Sequence, residues 1–425
     1  MIKKIIIANL FFVQFIFCMD VGVQAQKSAT INLMICTEGK PKKQLQKIAQ
    51  QMQKDFSFTR QFTVKVDHIK KITTQSQIKN FFEQGYPLVL FLSKDKKKQN
   101  ISWRLYDAEH AAMVDGKVYK KKGKIVRGWA HNIADMVWPA LTGLSSFFST
   151  KIAYCKEVKK VGKHLCKYIC IADYDGSNEQ VLIDTKTVNV APRWNGDLLN
   201  PLVFYSEHTN KNMRLMVCDM QKNKNVVANF DGLNMLPAFS YDGKKVVFCA
   251  SKNSTTCQLY YYEKNILKQL TNNKGNNISP TLSGDGKTIY FCSDYQTNNP
   301  QIYSYDVNTK KQIRLTQGGY CVSPSYCLEN KKIAYNKMVR GVMQIFTYDT
   351  ITKKHQQITF DKGSKEECSW SPCGNYLLFS IFDGKKTRIA MLNTITNYTN
   401  FITKSDVSCC YPTWSRSYKI FPIAL

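Results

Sequence analysis

Apolar and polar residues alternate with a period of two over most of the chain beyond residue 150, which is the pattern of half-buried β-strands. Within this region, a short phrase of proline, serine and aromatic residues recurs every 43 to 45 residues. The phrase stands at Pro192-Arg193-Trp194, Pro237-Ala238-Phe239-Ser240, Pro280-Thr281-Leu282-Ser283, Pro324-Ser325-Tyr326, Ser369-Trp370-Ser371 and Pro412-Thr413-Trp414-Ser415. A period this regular predicts one supersecondary unit copied along the chain.

Each period contains four short runs with strand character. The opening phrase is followed by a turn such as Asp242-Gly243 and then by an apolar run such as Val246 to Ser251. A third run ends in an acid or amide, as in Ile302 to Asp306, and a fourth completes the period, as in Leu267 to Thr271. Four antiparallel strands in about 44 residues are typical of a β-propeller blade, which needs a neighbour on each face.

The two ends of this repeat array complement each other. Lys151 to Tyr154, Tyr168 to Asp173 and Gln180 to Ile183 match the second to fourth strands of a blade that has no opening strand of its own. The chain supplies an opening strand at its other end, Pro412 to Ser415. We therefore predict a six-bladed β-propeller over residues 148–425, with a 3+1 strand closure by the C-terminus that leaves no free sheet edge.

Residues 26–147 show a different pattern. Three apolar runs predict strands: Ile31 to Cys36, Tyr86 to Ser93 and Ser102 to Tyr106. Lys42 to Asp55 carries apolar residues with helical spacing, and a second helix is predicted from about Arg127 to Leu141, ending before Gly143. The predicted fold class is therefore α+β, with a small N-terminal α/β domain followed directly by the propeller.

The first 25 residues have the pattern of an export signal. Lys3 and Lys4 precede the apolar run Ile5 to Cys18, and Val23-Gln24-Ala25 offers the small residues that signal peptidase requires, so cleavage before Gln26 is expected. Export places the mature chain in a compartment where thiols can oxidise. Fourteen of the 15 cysteines lie beyond this segment, and their pairing cannot be read from the sequence.

The net charge of +29, from 60 basic and 31 acidic residues, raises nucleic acid or anionic membranes as partners. The alternative is a lysine-rich bias spread over solvated faces, and the lysines are indeed scattered through turns. We expect no nucleic acid partner, only peripheral association with the envelope, and a monomer.

The sequence offers no catalytic, cofactor-binding or metal-binding motif. It contains neither the G-x-S-x-G pentapeptide of a hydrolase nor a histidine pair with zinc spacing. His131 is the best candidate for chemistry, but a structural role is preferred, as it is for Cys166 and Cys170. Asp173-Tyr174-Asp175-Gly176 lacks the later acids of a calcium loop and predicts a plain β-turn.

The junction between the two predicted domains resembles that of the TolB family, the periplasmic component of the Tol-Pal system of Gram-negative envelopes. The residues that carry the resemblance are Arg127-Gly128-Trp129-Ala130-His131-Asn132-Ile133-Ala134-Asp135, Leu141-Thr142-Gly143 and Phe148-Ser149-Thr150-Lys151-Ile152-Ala153-Tyr154. The resemblance covers essentially the whole mature chain. It implies a non-catalytic interaction scaffold that supports outer-membrane integrity and envelope constriction during cell division.

The resemblance also implies two partners. A Pal-like peptidoglycan-associated lipoprotein would bind at one mouth of the propeller channel, on the loops Leu233 to Leu236, Asn276 to Ser279, Tyr320 to Ser323, Lys365 to Cys368 and Val407 to Tyr411. The candidate contact residues there are Asn234, Leu236, Asn277, Ser279, Cys321, Ser323, Glu366, Glu367, Ser408 and Tyr411. A TolA-like inner-membrane protein would bind a mobile N-terminal segment, residues 26–37, through Thr30, Ile31, Asn32, Leu33, Met34 and Ile35.

A second hypothesis stays open, namely an exported propeller that binds or cleaves a glycan or peptide. Glycan cleavage usually needs two carboxyl groups that face one substrate bond. Glu366-Glu367 is the only adjacent acidic pair on the predicted channel face, and neighbouring residues on a loop seldom point at one atom. The interaction scaffold is therefore the preferred interpretation.

Overall fold

The computed structural model describes residues 30–40, 42–72, 74–94, 100–120, 126–159, 165–197, 199–252 and 254–416. The predicted signal segment 1–25 and residues 26–29 lie outside the described residues. The described part begins with an α/β unit and continues with an array of antiparallel sheets, as the sequence pattern predicts.

The α/β unit contains five strands and three helices. In chain order they are β1 (Ile31–Glu38), α1 (Lys43–Phe58), β2 (Phe62–Ile69), α2 (Gln75–Glu83), β3 (Leu88–Lys94), β4 (Ile101–Asp107), β5 (Ala112–Tyr119) and α3 (Val126–Thr142). The strands form one mixed sheet in the order β2-β1-β3-β4-β5, in which β1 runs parallel to both of its neighbours.

The prediction of a mobile segment over residues 26–37 is wrong for residues 31–37, because they belong to β1. This strand has hydrogen-bonded neighbours on both sides. Leu33 and Ile35 are fully buried in the cluster that includes α1, and Met34 and Cys36 are buried in the cluster that includes α2. A strand covered on both faces can leave the sheet only by unfolding it, so it cannot act as a releasable arm.

The other predicted elements of this unit are confirmed with small shifts in their bounds. Helix α1 runs one turn further than predicted, to Phe58, and α3 spans Val126–Thr142 with Gly143 in the left-handed region at its end. Strands β2 and β5 and helix α2 were not predicted from the sequence. Strand β5 is a sheet edge with mostly exposed side chains, so its apolar pattern is weak.

The remaining strands form antiparallel sheets. Four sheets have four strands each, and the strands of a sheet pair in chain order. The first two sheets are β13 (Asn234–Phe239), β14 (Val246–Ala250), β15 (Gln258–Glu263) and β16 (Ile266–Gln269), then β17 (Asn277–Leu282), β18 (Thr288–Ser293), β19 (Gln301–Asp306) and β20 (Gln312–Arg314). The other two are β21 (Cys321–Tyr326), β22 (Lys332–Val339), β23 (Val342–Asp349) and β24 (His355–Gln357), then β25 (Ser364–Trp370), β26 (Tyr376–Phe382), β27 (Thr387–Asn393) and β28 (Tyr398–Phe401). Each repeat of the sequence thus gives a propeller-like unit.

An eight-stranded sheet holds the strands between the α/β unit and these four sheets, together with the last described strand. Its members are β6 (Lys151–Lys159), β7 (Leu165–Asp173), β8 (Gln180–Ile183), β9 (Val188–Trp194), β10 (Leu202–His208), β11 (Met213–Asp219), β12 (Lys224–Ala228) and β29 (Cys409–Trp414). A single parallel pair, Lys167 with Val188, joins its two halves. At its far edge β29 pairs antiparallel with β6, so strands from opposite ends of the array are neighbours.

One aromatic core joins the α/β unit to the sheets. Phe147 and Phe148, which follow α3, are fully buried. The Phe147 ring lies 4.4 Å from the ring of Tyr376 and 5.9 Å from that of Trp414, measured between centroids. Because these contacts come from three distant parts of the sequence, the two units share one hydrophobic core.

Three polar residues of α3, spaced one turn apart, fix this junction. Arg127 donates to Asp173 at 2.7 Å and to Asp175 at 2.8 and 2.9 Å. His131 contacts Asp55 at 3.0 Å. Asp135 accepts the backbone N–H of Phe148 at 2.8 Å and that of Ser149 at 3.0 Å.

The predicted turn at residues 173–176 is confirmed by a backbone hydrogen bond from Gly176 to Asp173. Its acids serve the junction, since Asp173 and Asp175 both bind Arg127. Among the described helices, none combines the length and apolar character that crossing a bilayer requires.

Candidate functional site

The first strand of each repeat lines a central cavity. We call β9, β13, β17, β21, β25 and β29 the opening strands. Residues from all six line a cavity of about 170 Å³. Each opening strand carries a bulge, where its register with the next strand shifts.

The bulge is built the same way in every repeat. One residue in each opening strand has φ between +53° and +60°: Ala191, Leu236, Ser279, Ser323, Glu367 and Tyr411. In five of the six strands the next residue is proline, which lacks an N–H and is tolerated where a bulge interrupts the ladder. Non-glycine residues in this region are strained, so the surrounding structure must hold them.

A polar atom on the second strand of the preceding repeat holds several of these bulges. The Asn336 carboxamide oxygen accepts the Glu367 N–H at 3.0 Å. The Ser380 hydroxyl accepts the Tyr411 N–H at 3.1 Å. The bulges therefore form a rigid set of backbone positions around the cavity.

Three predicted partner-binding residues prove to be structural. Asn234, Asn277 and Cys321 are fully buried, so a docked protein cannot touch their side chains. The Asn234 carboxamide donates to Phe230 O at 2.7 Å, and that of Asn277 donates to the side chain of Asn273 at 3.0 Å. Each asparagine side chain thus holds the loop residue that lies four positions before it in the sequence. Their position at the start of a strand suggested exposure, but their side chains turn inward.

Arg193 brings a positive charge to the cavity wall. It is the only charged residue at its position in the six opening strands, where the others are Ala238, Thr281, Ser325, Ser369 and Thr413. The Arg193 guanidinium donates one hydrogen bond, from Nη1 to Pro192 O at 2.9 Å. Burial lowers the pKa of this guanidinium, and the Glu367 carboxylate opposes the shift.

Glu367 is the acidic group of the cavity. Its Oε2 accepts the Tyr411 N–H at 2.7 Å and the Ser380 hydroxyl at 3.1 Å. Burial raises the pKa of Glu367 to about 7, although these hydrogen bonds and Arg193 favour the carboxylate. The carboxyl group of Glu367 therefore holds its proton more readily than that of an exposed glutamate.

The exposed residues at or near the start of four opening strands form the surface that a partner could reach. We call Leu233, Asn276, Tyr320 and Glu366 the rim. All four are exposed, with Leu233 at 37% and Tyr320 at 39%. An exposed acid, an amide and two apolar side chains within one mouth give a surface of mixed character, which is usual for protein recognition.

The rim lies on the opposite side of the array from the α/β unit. That unit contacts the turns at the far ends of the opening strands and third strands. Asn393, at the end of β27, donates to Thr59 O at 2.9 Å, and Ser145 donates to Glu329, in the turn after β21, at 3.0 Å. The described part of the α/β unit thus does not cover the rim mouth.

The other predicted contact residues fall into two groups. Glu366 is exposed on the rim, whereas Leu236, Ser279, Ser323 and Glu367 are half-buried and line the cavity. Ser408 and Tyr411 are half-buried next to them. Arg193 was not predicted as a site residue, although its position directly after Pro192 in the repeat marks it as part of an opening strand.

The described residues contain one group of three that could hold a metal ion: Asp107, Glu109 and His110. It lies in the turn after β4, away from the cavity, and two of its members are exposed. His110 Nδ1 already pairs with the Asp107 carboxylate at 2.9 Å. Exposed clusters of this kind are common without an ion, so we assign no function to it.

Comparison with known proteins identifies the repeat array. Residues 138–418 match the profile of a family described as the TolB beta propeller domain. The "Tol-Pal system protein TolB" of Rickettsia prowazekii (strain Madrid E) is 34% identical over 161 residues, which are 37% of this chain and 35% of that protein. The homologue of Rickettsia felis is 32% identical over the same share of each chain. These alignments span about a third of the length of the relatives.

Solved structures support the fold over a longer range. The crystal structure of TolB from Acinetobacter baumannii superposes with a TM-score of 0.79 over 92% of this chain and 97% of that one, at 22% identity. Hydrazine synthase from Kuenenia stuttgartiensis covers 63% of the chain with a TM-score of 0.51 at 13% identity, so a propeller alone does not define an activity. Since the family profile covers most of the chain, including all the opening strands, the chain belongs to the TolB beta-propeller family.

Proposed function

We propose that this protein is a non-catalytic, periplasmic component of a Tol-Pal system, which binds a Pal-like lipoprotein at the rim. The observation that carries the proposal is the rim itself, an exposed patch on rigid strands at the mouth that the α/β unit leaves uncovered. Loops and strand ends held by a rigid scaffold are the usual places for recognition. The names of the relatives support the assignment to the system.

The proposal includes a domain organisation. A signal segment 1–25 is removed, residues 26–147 form the α/β domain, and residues 148–425 form a six-bladed propeller closed by β29. Two observations support the closed ring: the pairing of β29 with β6, and one cavity lined by all six opening strands. A closed ring keeps the rim residues at fixed separations, which a partner needs for a stable interface.

The partner would contact the rim and the half-buried residues behind it. Leu233 and Tyr320 supply apolar area, and Glu366 supplies a charge that selects the orientation of the partner. Leu236, Ser279, Ser323, Glu367, Ser408 and Tyr411 would be reached only by a side chain inserted into the mouth. The net charge of +29 would speed association with an acidic partner at low salt.

Calorimetric titration with the soluble domain of the Pal-like lipoprotein from the same organism tests this proposal. We expect saturable one-to-one binding. Tyr320→Asp should weaken it at least tenfold, because a charge replaces an apolar contact in the interface. Ile351→Asp is the matched control, since Ile351 is exposed at the opposite side of the array, in the turn after β23. Equal loss in both variants, or no binding by the folded protein, would refute the proposal.

For a TolA-like partner, we propose contact through residues 26–30, ahead of β1. Thr30 is exposed, whereas the residues that follow are held in the sheet. Deleting residues 26–30 from the mature protein should abolish TolA binding and leave the titration with the Pal-like domain unchanged. Retention of TolA binding by this variant would exclude the segment. Together the two contacts would support outer-membrane integrity and constriction during division.

The geometry gives little support to glycan or peptide cleavage. Glu366 faces solvent, whereas Glu367 is turned toward Tyr411 N and Ser380 Oγ. Two carboxyl groups directed to different surroundings cannot act on the same bond as acid and nucleophile. The interaction scaffold is therefore the function that we propose.

A further inference from the structure

Two cysteine residues lie opposite each other where the last described strand, β29, pairs with β6 at the start of the repeat array. Cys410 in β29 is paired in register with Cys155 in β6. Both residues are free thiols. Because directly opposite residues of antiparallel strands have Cα atoms about 4.5–5.5 Å apart, this pair falls within the about 4.4–6.8 Å that a disulfide bridge requires.

The surroundings of the two thiols differ. Cys410 is half-buried, and the ammonium group of Lys167 lies 3.8 Å from its Sγ. Lys167 also pairs with Glu157 at 3.4 Å, so it is held beside the thiol. Cys410 is therefore the more accessible of the two thiols and the one that a small molecule reaches first. Cys155 is fully buried, and burial raises its pKa, so it remains a thiol that reacts second.

We propose that Cys155 and Cys410 form a redox site that a small-molecule disulfide, such as oxidised glutathione, converts into an intramolecular disulfide bridge. The Cys410 thiolate attacks the small disulfide, giving a mixed disulfide and releasing one small thiol. Cys155 then gives up its proton, attacks Cys410 Sγ and releases the second small thiol. The net reaction oxidises two protein thiols and reduces one small disulfide to two thiols.

The bridge would have a specific consequence for the fold. Strand β29 is joined to the rest of its sheet only through β6, and the two strands are at opposite ends of the array. A covalent bond between them prevents β29 from leaving without breaking the bond. Because the bridge closes a very long loop of chain, it removes much of the freedom of the unfolded state.

The adjacent cysteine provides a control. Cys409 is paired with Lys156 and lies on the other face of β29, where it is almost fully buried. Cys170 belongs to the same buried cluster as Cys409. The tryptic peptide that contains Cys410 also contains Cys409, whereas the peptide from Ile152 to Lys156 contains Cys155 alone. Variants are therefore needed to assign a link that mass spectrometry detects.

The test equilibrates the purified, folded protein with oxidised glutathione, blocks free thiols after denaturation, and analyses the tryptic peptides by mass spectrometry. We expect one linked pair, joining the Cys155 peptide to the Cys409–Cys410 peptide. Cys409→Ser should keep the link and Cys410→Ser should lose it. The oxidised protein should also melt at least about 5 °C higher than the same protein in dithiothreitol, and this difference should vanish in Cys410→Ser.

Two results would overturn the proposal. One is full alkylation of Cys155 and Cys410 in the unmodified protein after oxidation. The other is a link that survives in Cys410→Ser, which would assign it to Cys409. The first measurement uses the unmodified chain, so its outcome does not depend on whether a variant folds.

Discussion

At the scale of single residues, the junction depends on one buried ion-pair network. His131 is nearly fully buried, and its Nδ1 lies 3.0 Å from Asp55 Oδ2 while its Nε2 lies 3.8 Å from Asp173 Oδ2. Burial alone would lower the pKa of His131, but Asp55 and Asp173 outweigh it and raise the pKa to about 9. The imidazolium is thus the cation beside the fully buried Asp55, whereas Asp173 also pairs with Arg127.

Replacing His131 should destabilise the protein in a pH-dependent way. The folded-state pKa of about 9 lies above the unfolded value of about 6.5, so the stabilisation is complete below pH 6.5 and is lost as the pH rises through 9. His131→Gln should therefore lower the free energy of unfolding by about 2–4 kcal/mol at pH 6, because it leaves the fully buried Asp55 without its cation. Urea unfolding at pH 6 and pH 9.5 measures the difference, which should shrink at the higher pH.

His110 offers a matched control for this prediction. It also pairs with an acid, Asp107, at 2.9 Å, but its side chain is exposed. Solvent screens an exposed pair, so His110→Gln should leave the free energy of unfolding unchanged at both pH values. A His131→Gln variant with the same deficit at pH 6 and pH 9.5 would show that packing, and not charge, accounts for the loss.

At the scale of elements, the opening strands depend on residues held in the left-handed region. Ser323 has φ of +53° and is half-buried. A β-branched side chain is strongly disfavoured there, so Ser323→Val should cost about 1–3 kcal/mol of stability. Glycine adopts this conformation without strain, and Ser323→Gly should be neutral or stabilising by up to about 1 kcal/mol.

Ser325 separates backbone strain from the effect of the new side chain. It lies two residues further along β21, also lines the cavity, and is not among the residues with positive φ. Ser325→Val should therefore change the thermal midpoint much less than Ser323→Val, because valine suits an ordinary strand position. Similar midpoints for the two valine variants would show that the bulge conformation imposes no cost.

Element patterns also show what the sequence could and could not predict. The 43 to 45 residue period predicted the repeats because every blade buries the same alternating positions. Strand β5 was not predicted, because an exposed edge strand has no such alternation. Asn234 and Asn277 were misjudged because a position at the start of a strand does not reveal which way its side chain turns. Arg193 was not predicted, although the repeat alignment marks its position, because the sequence does not show that Arg193 and Glu367 line the same cavity.

At the scale of the whole molecule, the position of β29 decides how the repeats cooperate. Each sheet buries apolar side chains against its neighbours, and Trp414 of β29 packs in the core shared with the α/β unit. The Trp414 indole N–H donates to the Thr150 hydroxyl at 2.7 Å, next to the start of β6. Losing β29 would expose one edge of β6 and remove this contact with the junction.

We therefore expect that a chain ending at Ser408 loses cooperative unfolding. Urea titration followed by far-ultraviolet circular dichroism should give a broad transition or two steps, because the exposed edge of β6 can fray independently of the distant sheets. A synthetic peptide covering residues 405–416 should restore a single transition when added in excess, since it supplies the missing strand without the covalent link. If the truncated protein unfolded in one sharp transition with an unchanged midpoint, pairing between β29 and β6 would not hold the array together. The β29 strand would then be an added edge of the array and not its closure.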